Sequence, residues 1–144
     1  MEHKIANDIL FEEVDRLLSA GSSVRLTPTG SSMVPFIRGG SDSVIIERAS
    51  EPRRGDILLV RLGREHYVMH RLIAVSGDSL TLRGDGNIAG EEHCRRSDVI
   101  GRVSAVYTAS GHKRCTAGWR TWQWLFPMRR WLLKAYRKIQ RLRT

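Results

Sequence analysis

Hydrophobic and polar positions along the chain keep two different periods. In residues 5–20, Ile5, Ile9, Leu10, Val14, Leu17 and Leu18 recur at roughly helical spacing, with Asn7 or Asp8 able to cap the start and Gly21 able to end it. From residue 23 the period shortens. SVRLT (23–27), SVIIER (43–48), DILLVR (56–61), HYVMHRLIAV (66–75), SLTLR (79–83) and VIGRVSAVYT (99–108) are short, partly β-branched, and separated by GG, RRGD, SGD and GDGN turn signals. They predict a mainly β, antiparallel, barrel-like or sandwich-like core. Past Thr108 the helical period returns in a run starting near Pro127, a residue suited to a first helical turn. Met128, Leu132, Ala135, Ile139 and Leu142 fall on one side of that helix, and Arg130, Lys134, Arg137, Lys138 and Arg141 on the other. The pattern divides the chain into an N-terminal helix (1–22), a β-domain (23–110) and a basic tail (111–144) that holds all four tryptophans.

Composition changes the picture mainly through charge. The 144 residues suit one domain, with the 41% hydrophobic and 27% charged content of a folded protein. Residues 1–98 carry all 15 acidic side chains and 13 of the 24 Lys and Arg, a formal −2, whereas residues 99–144 carry the other 11 basic groups and no acid, a formal +11. A tail of one sign points to an anionic partner. Its most apolar window, WQWLFPMRRWLLKAY, contains Arg129, Arg130, Lys134 and Pro127 and falls short of the about 18 apolar residues of a membrane span. Two readings of residues 119–143 stay open: peripheral contact with an anionic membrane, or packing of the apolar stripe on the domain with a solvated basic face. No recognition motif accompanies the charge, which argues against nucleic acid. Two cysteines, Cys94 and Cys115, cannot build a disulfide framework, and the N-terminus reaches acidic residues at once, so the expected location is the reducing cytosol. His93, Cys94, His112 and Cys115 lack the loop spacing of a zinc site, and neither a metal nor a cofactor is expected.

The candidate chemistry centres on GSSMVPFI (30–37), where turn-forming residues surround two hydroxyls. A serine hydroxyl needs a base within reach to become a nucleophile. The only lysines are Lys4, Lys113, Lys134 and Lys138, so the β core has none, and arginine stays protonated. Of the histidines, His70 sits within the most strand-like run and shares a face with Val68 and Leu72. A carboxylate is then needed to hold the imidazole tautomer. Asp85, in the LRGDGN turn, is the first candidate, with Asp56, Asp78 and Glu91 as rivals.

Taken in order, G-S-S-M-V-P, R-R-G-D-I-L-L-V, M-H-R-L-I-A-V-S-G-D, R-G-D-G-N and V-I-G-R-V resemble the boxes of type I signal peptidases and the related LexA-like self-cleaving peptidases, over roughly residues 26–107. The similarity is greatest to the archaeal and endoplasmic-reticulum branch, whose base is histidine. The resemblance implies Ser32 as nucleophile, His70 as base and Asp85 as the acidic third member. A further acidic position of the family is met by Glu91, with Glu92 beside it. It also implies an oxyanion hole using the Ser32 N–H in the turn Gly30–Ser31–Ser32. Gly30 stands where some bacterial relatives carry a hydroxyl, which implies either a slower enzyme or Ser31 substituting. The sequence shows no transmembrane anchor of the signal-peptidase kind, so cleavage of a leader on a peptide or protein substrate in the cytosol, or at the inner membrane surface, is the expected activity. Self-cleavage at Ala20–Gly21 and a catalytically silent peptide-binding module with a basic adaptor tail are the alternatives.

Overall fold

The computed structural model describes residues 2–5, 11–63, 66–87, 90–115, 118–125 and 128–143. Its elements are β1 (Glu2–Ile5), α1 (Phe11–Ser19), β2 (Ser23–Leu26), β3 (Ser43–Glu47), β4 (Ile57–Arg61), β5 (Tyr67–Ser76), β6 (Ser79–Arg83), β7 (Glu92–Arg95), β8 (Val99–Tyr107), α2 (Trp119–Trp124) and α3 (Arg129–Arg143). The strands form one sheet in the order β1-β2-β3-β8-β4-β5-β6-β7. Neighbours are antiparallel except β1, which runs parallel to β2.

The sheet wraps two cores, and β4 lies between them. Ile57 and Leu59 pack with Val14, Leu18, Val24, Met33 and Ile37. Leu58 and Val60 point the other way, into Leu72, Leu80, Leu82 and Cys94. That is why DILLVR reads as an unbroken apolar run: with both faces covered, alternation has no reason to persist. Helix α1 covers the first core through the fully buried Val14 and Leu18, each contributing about 1.5–3 kcal/mol relative to exposure. Gly101 on β8 lets the helix approach, since a Cβ there would lie 2.6 Å from Leu18.

The structure differs from the sequence pattern at the N-terminus and in two edge strands. The N-terminal helix is described from Phe11, and Ile5 lies in strand β1. Asn7, Asp8, Ile9 and Leu10 lie outside the described residues, as does Pro127 at the expected start of the last helix. Strands β1 (EHKI) and β7 (EHCR) carry mostly polar side chains and give no alternation to detect. They are the two edges of the sheet, where short charged strands discourage pairing with another chain.

The tail packs against the domain in part. On α2, the Trp122 Nε1–H donates to the Asp85 carbonyl at 2.5 Å. Trp119 lies over Gly55, where a Cβ would sit 2.6 Å from the indole. On α3, Leu133 is fully buried and the Gln140 side-chain oxygen accepts from Arg38.

Candidate active site

Residues 30–37 form a tight turn pinned from both sides. Gly30 adopts φ +83°, a left-handed conformation that favours glycine. Its carbonyl lies so close to Gly39 that a Cβ there would be 1.7 Å away. Inside the turn, the Met33 carbonyl accepts the Phe36 and Ile37 N–H groups at 3.0 and 2.9 Å, while Met33, Val34 and Ile37 are buried. The Gly84–Asn87 loop backs it. The Gly86 N–H donates to the Ser32 carbonyl at 2.7 Å, and the Asp85 N–H points at the Met33 sulfur at 3.4 Å. A Cβ on Gly84 would meet the Ser32 carbonyl oxygen at 2.5 Å, and one on Gly86 the Ser31 carbonyl oxygen at 2.3 Å. The two glycines of the GDGN box thus let its backbone lie directly against the serine turn.

Ser32 and His70 line one cavity of about 290 Å³. Its other walls are mainly apolar: Phe11 and Val14 from α1, Leu26 at the end of β2, Met33 and Ile37 from the turn, and Leu59 and Met69 from the sheet. Phe11 stacks on Tyr67 with ring centroids 4.3 Å apart, and both line the cavity. The imidazole is buried, at 6% exposure, and its Nδ1 lies 2.8 Å from Glu92 Oε2. An ionised carboxylate only accepts, so beside ionised Glu92 the proton of this bond belongs on Nδ1, and in a neutral ring Nε2 is then the acceptor.

Sheet register explains why Glu92 reaches His70. Leu72 on β5 faces Leu82 on β6, and Leu82 faces Glu92 on β7. Residues directly opposite one another share a face, and so does His70, two positions before Leu72. Asp85 goes elsewhere. Its carboxylate accepts from Arg71 Nη2 at 2.7 Å and Nε at 3.3 Å, and Arg71 Nη1 donates to the Gly55 carbonyl at 2.8 Å. This pair is buried, at 0% exposure for the Asp85 side chain and 2% for Arg71, with the guanidinium 5.1 and 5.6 Å from the Phe36 and Trp119 ring centres.

The geometry therefore gives His70 the Glu92 carboxylate and assigns Asp85 to Arg71, a correction to the expected partner. The reason is a bulge. At the β5–β6 turn Ser76 faces Ser79 and Val75 faces Leu80, a register that would bring His70 opposite Asp85 if it continued. It shifts between Leu72 and Ala74, leaving Ile73 as an extra residue and setting Arg71 opposite Arg83. A slip of one residue exchanges the faces of a strand, so Asp85 lies on the side of Arg71.

The remaining candidates are also placed. Glu91 pairs with Arg83, and Asp56 accepts the Arg53 N–H at 2.8 Å. Asp78 is exposed in the β5–β6 turn. Gly30 and Ser31 are exposed beside the cavity and are not among its lining residues. Among the described residues no three His, Cys, Asp or Glu side chains come together as a metal site would require. Cys94 is buried in the second core, and its thiol is pushed up to about 11 by burial first and by Asp98 second; Cys115 is exposed. Ala20–Gly21 closes the last turn of α1, with the Gly21 N–H on the Leu18 carbonyl at 3.0 Å, and does not line the cavity.

A family model described as Peptidase S24-like matches residues 7–104, which include α1, the serine turn, His70, Asp85 and Glu92. No curated protein matches the chain. Among the described residues no helix is long and apolar enough to cross a membrane.

Proposed function

Because the chain belongs to the Peptidase S24-like family, we propose that it is a serine endopeptidase in which Ser32 is the nucleophile, His70 the general base and Glu92 the carboxylate that orients the base. The observation that carries this reading is the cavity shared by Ser32 and a buried His70 whose Nδ1 is held at 2.8 Å by Glu92. Ser32 Oγ attacks the carbonyl carbon of the scissile bond as its proton passes to His70 Nε2. Glu92 stabilises the imidazolium so formed. Collapse of the tetrahedral intermediate breaks the C–N bond, and the Nε2 proton leaves with the amine. Water then enters by the same base, releasing the carboxylic acid and restoring Ser32. The oxyanion donor in this reading is the Ser32 N–H. Gly30 supplies no hydroxyl beside it, and loss of one such donor typically costs about 10²–10³-fold in rate.

Substrate would bind as an extended strand. The backbone of Tyr67–His70 pairs with β4 on one side, and pairing with β6 begins only at Arg71, so the opposite edge carries no sheet partner among the described residues. Thr27–Thr29 line the same cavity as Tyr67–His70. A peptide lying between the two segments would gain main-chain hydrogen bonds and place an apolar side chain against Leu26, Met33 and Leu59. The preferred substrate is thus a flexible segment, such as a leader, with an apolar residue near the scissile bond. Cutting in trans is favoured over self-cleavage because Ala20–Gly21 is tied into the end of α1. The proposed location is the cytosol, supported by two free cysteines.

The test is to label the protein with a fluorophosphonate and map the adduct by mass spectrometry, alongside digestion of a complex peptide library. The reading expects an adduct on Ser32 that is absent from His70→Ala, and peptide cleavage that is absent from Ser32→Ala with unchanged circular dichroism. Peptide cleavage that persists in Ser32→Ala, or no cleavage and no adduct with wild-type protein, would overturn it in favour of a silent peptide-binding module.

A further inference from the structure

Helix α3 makes its contacts with the domain through a face different from its apolar stripe. Leu133 is fully buried, Tyr136 and Gln140 are half-buried, and Gln140 is bonded to Arg38, so this row faces inward. The apolar row turns outward. Met128 is 55% exposed, Trp131 74%, Ile139 51% and Leu142 79%, with Leu132 at 36% among them. With the exposed Ala135 between Leu132 and Ile139, they recur every three or four residues and form one continuous strip along the helix. A strip that a globular helix would ordinarily bury is the part left uncovered.

Charge says what covers it. Lys134, Arg137, Lys138 and Arg141 are exposed along the other border of the strip. No Asp or Glu occurs anywhere from residue 99 to the end of the chain, against 11 Lys and Arg. A second copy of this helix would set basic borders against each other. An exposed tryptophan beside lysine, with Lys134 Nζ 6.0 Å from the Trp131 ring centre, suits a boundary between hydrocarbon and phosphate. We propose that α3 is a docking face for the surface of an anionic lipid bilayer, lying in the interface with Trp131, Leu132, Ile139 and Leu142 among the acyl chains and its basic border on the headgroups.

This is independent of catalysis, and the experiment uses no substrate. The full chain is co-sedimented with vesicles of phosphatidylcholine alone and of phosphatidylcholine mixed with phosphatidylglycerol, at low and physiological salt. Binding is expected to the anionic vesicles and to be weak to the neutral ones. Trp131→Ser/Ile139→Ser should lower it about tenfold or more, and Lys134→Gln/Lys138→Gln should lower it by about fivefold per charge. Both pairs are exposed, so thermal melts should match wild type. No binding to anionic vesicles overturns the proposal. So does binding that falls with the charges but ignores Trp131 and Ile139, which would mark a general polyanion site such as RNA would use. A concentration-dependent dimer in sedimentation velocity that Trp131→Ser/Ile139→Ser abolishes also overturns it, by giving the strip to a second copy.

Discussion

Glu92→Gln and Asp85→Asn should separate catalysis from stability. Both exchange a carboxylate for an amide of the same shape, on two carboxylates fewer than ten residues apart. In Glu92→Gln the amide oxygen can still accept from His70 Nδ1, so geometry survives. The charge that stabilises the imidazolium does not. By analogy with the aspartate of other serine peptidases, the loss in rate is about 10³–10⁴-fold. Glu92 is a quarter exposed, so the stability change is expected to be within about 1 kcal/mol. Asp85→Asn acts in the opposite sense. It leaves Arg71, at 2% exposure, with its charge uncompensated in the interior, and breaking a buried pair costs about 3–5 kcal/mol. The Gly55 carbonyl and the flanking rings of Phe36 and Trp119 still hold the guanidinium, which places the cost near about 3 kcal/mol, or about 10 °C in Tm. The assay is the second-order rate of fluorophosphonate labelling at Ser32, followed by intact mass below the Tm of both variants. Labelling that survives Glu92→Gln but is lost in Asp85→Asn with Tm unchanged would refute the assignment and return the third position to Asp85.

Other consequences can be checked with the same protein. Gly86→Ala should lower both Tm and labelling rate, since its Cβ would sit 2.3 Å from the Ser31 carbonyl oxygen and push the serine turn away from its support; full activity at normal Tm would contradict that role. Trp122→Phe removes the donor to the Asp85 carbonyl and should cost about 1 kcal/mol, measured by urea denaturation, with Gly111→Ala unsuitable as a control because Gly111 has φ +88°. The Cys94 thiol is raised to about 11 in the folded chain. The folded state therefore holds that proton more tightly than the unfolded one, and the resulting stability is present below the unfolded value and lost as pH rises toward 11. Urea midpoints of wild type should fall over that range more than those of Cys94→Ala, and iodoacetamide at pH 8 should modify Cys115 and spare Cys94 in the folded protein.

Much of the fold is legible in the sequence where one face of a strand is buried. SVRL and SLTL alternate because Val24 and Leu26, and Leu80 and Leu82, point inward while their neighbours do not. β1 and β7 are hidden because edge strands gain from charge, and these two are short and mostly polar in sequence. The proposed pair of Ser32 and His70 is legible for a different reason. A lysine-free β segment leaves histidine as the candidate base, and Ser32 and His70 line one cavity. The carboxylate is harder because its side of the sheet depends on the bulge between Leu72 and Ala74, and Ile73 looks like any other strand residue. Glu91 and Glu92 are neighbours whose side chains go to Arg83 and His70, a choice set by strand parity and invisible to composition.

The basic tail read as one unit in the sequence, yet its tryptophans serve two ends. Trp119 and Trp122 belong to the domain: one lies over Arg71 and the other bonds Asp85, so α2 packs on the buried Arg71–Asp85 pair behind the loop that supports Ser32. Trp131 faces out. Between them α3 is tied to Arg38, whose N–H donates to Asp42 at 2.7 Å, and Asp42 in turn accepts from Arg114 at 3.1 Å. These contacts join the helix to the segment that begins at the serine turn, so a surface bound by α3 would hold the Ser32–His70 cavity in a fixed relation to itself. If bilayer binding and peptide cleavage both hold, anionic vesicles should accelerate cleavage of a membrane-associated peptide while leaving that of a freely dissolved one unchanged. Trp131→Ser/Ile139→Ser should remove the acceleration alone, because its substitutions lie outside the residues that line the cavity. Equal acceleration of both peptides would instead mean that lipid acts on the site itself, through the tie from α3 to Arg38 beside the serine turn.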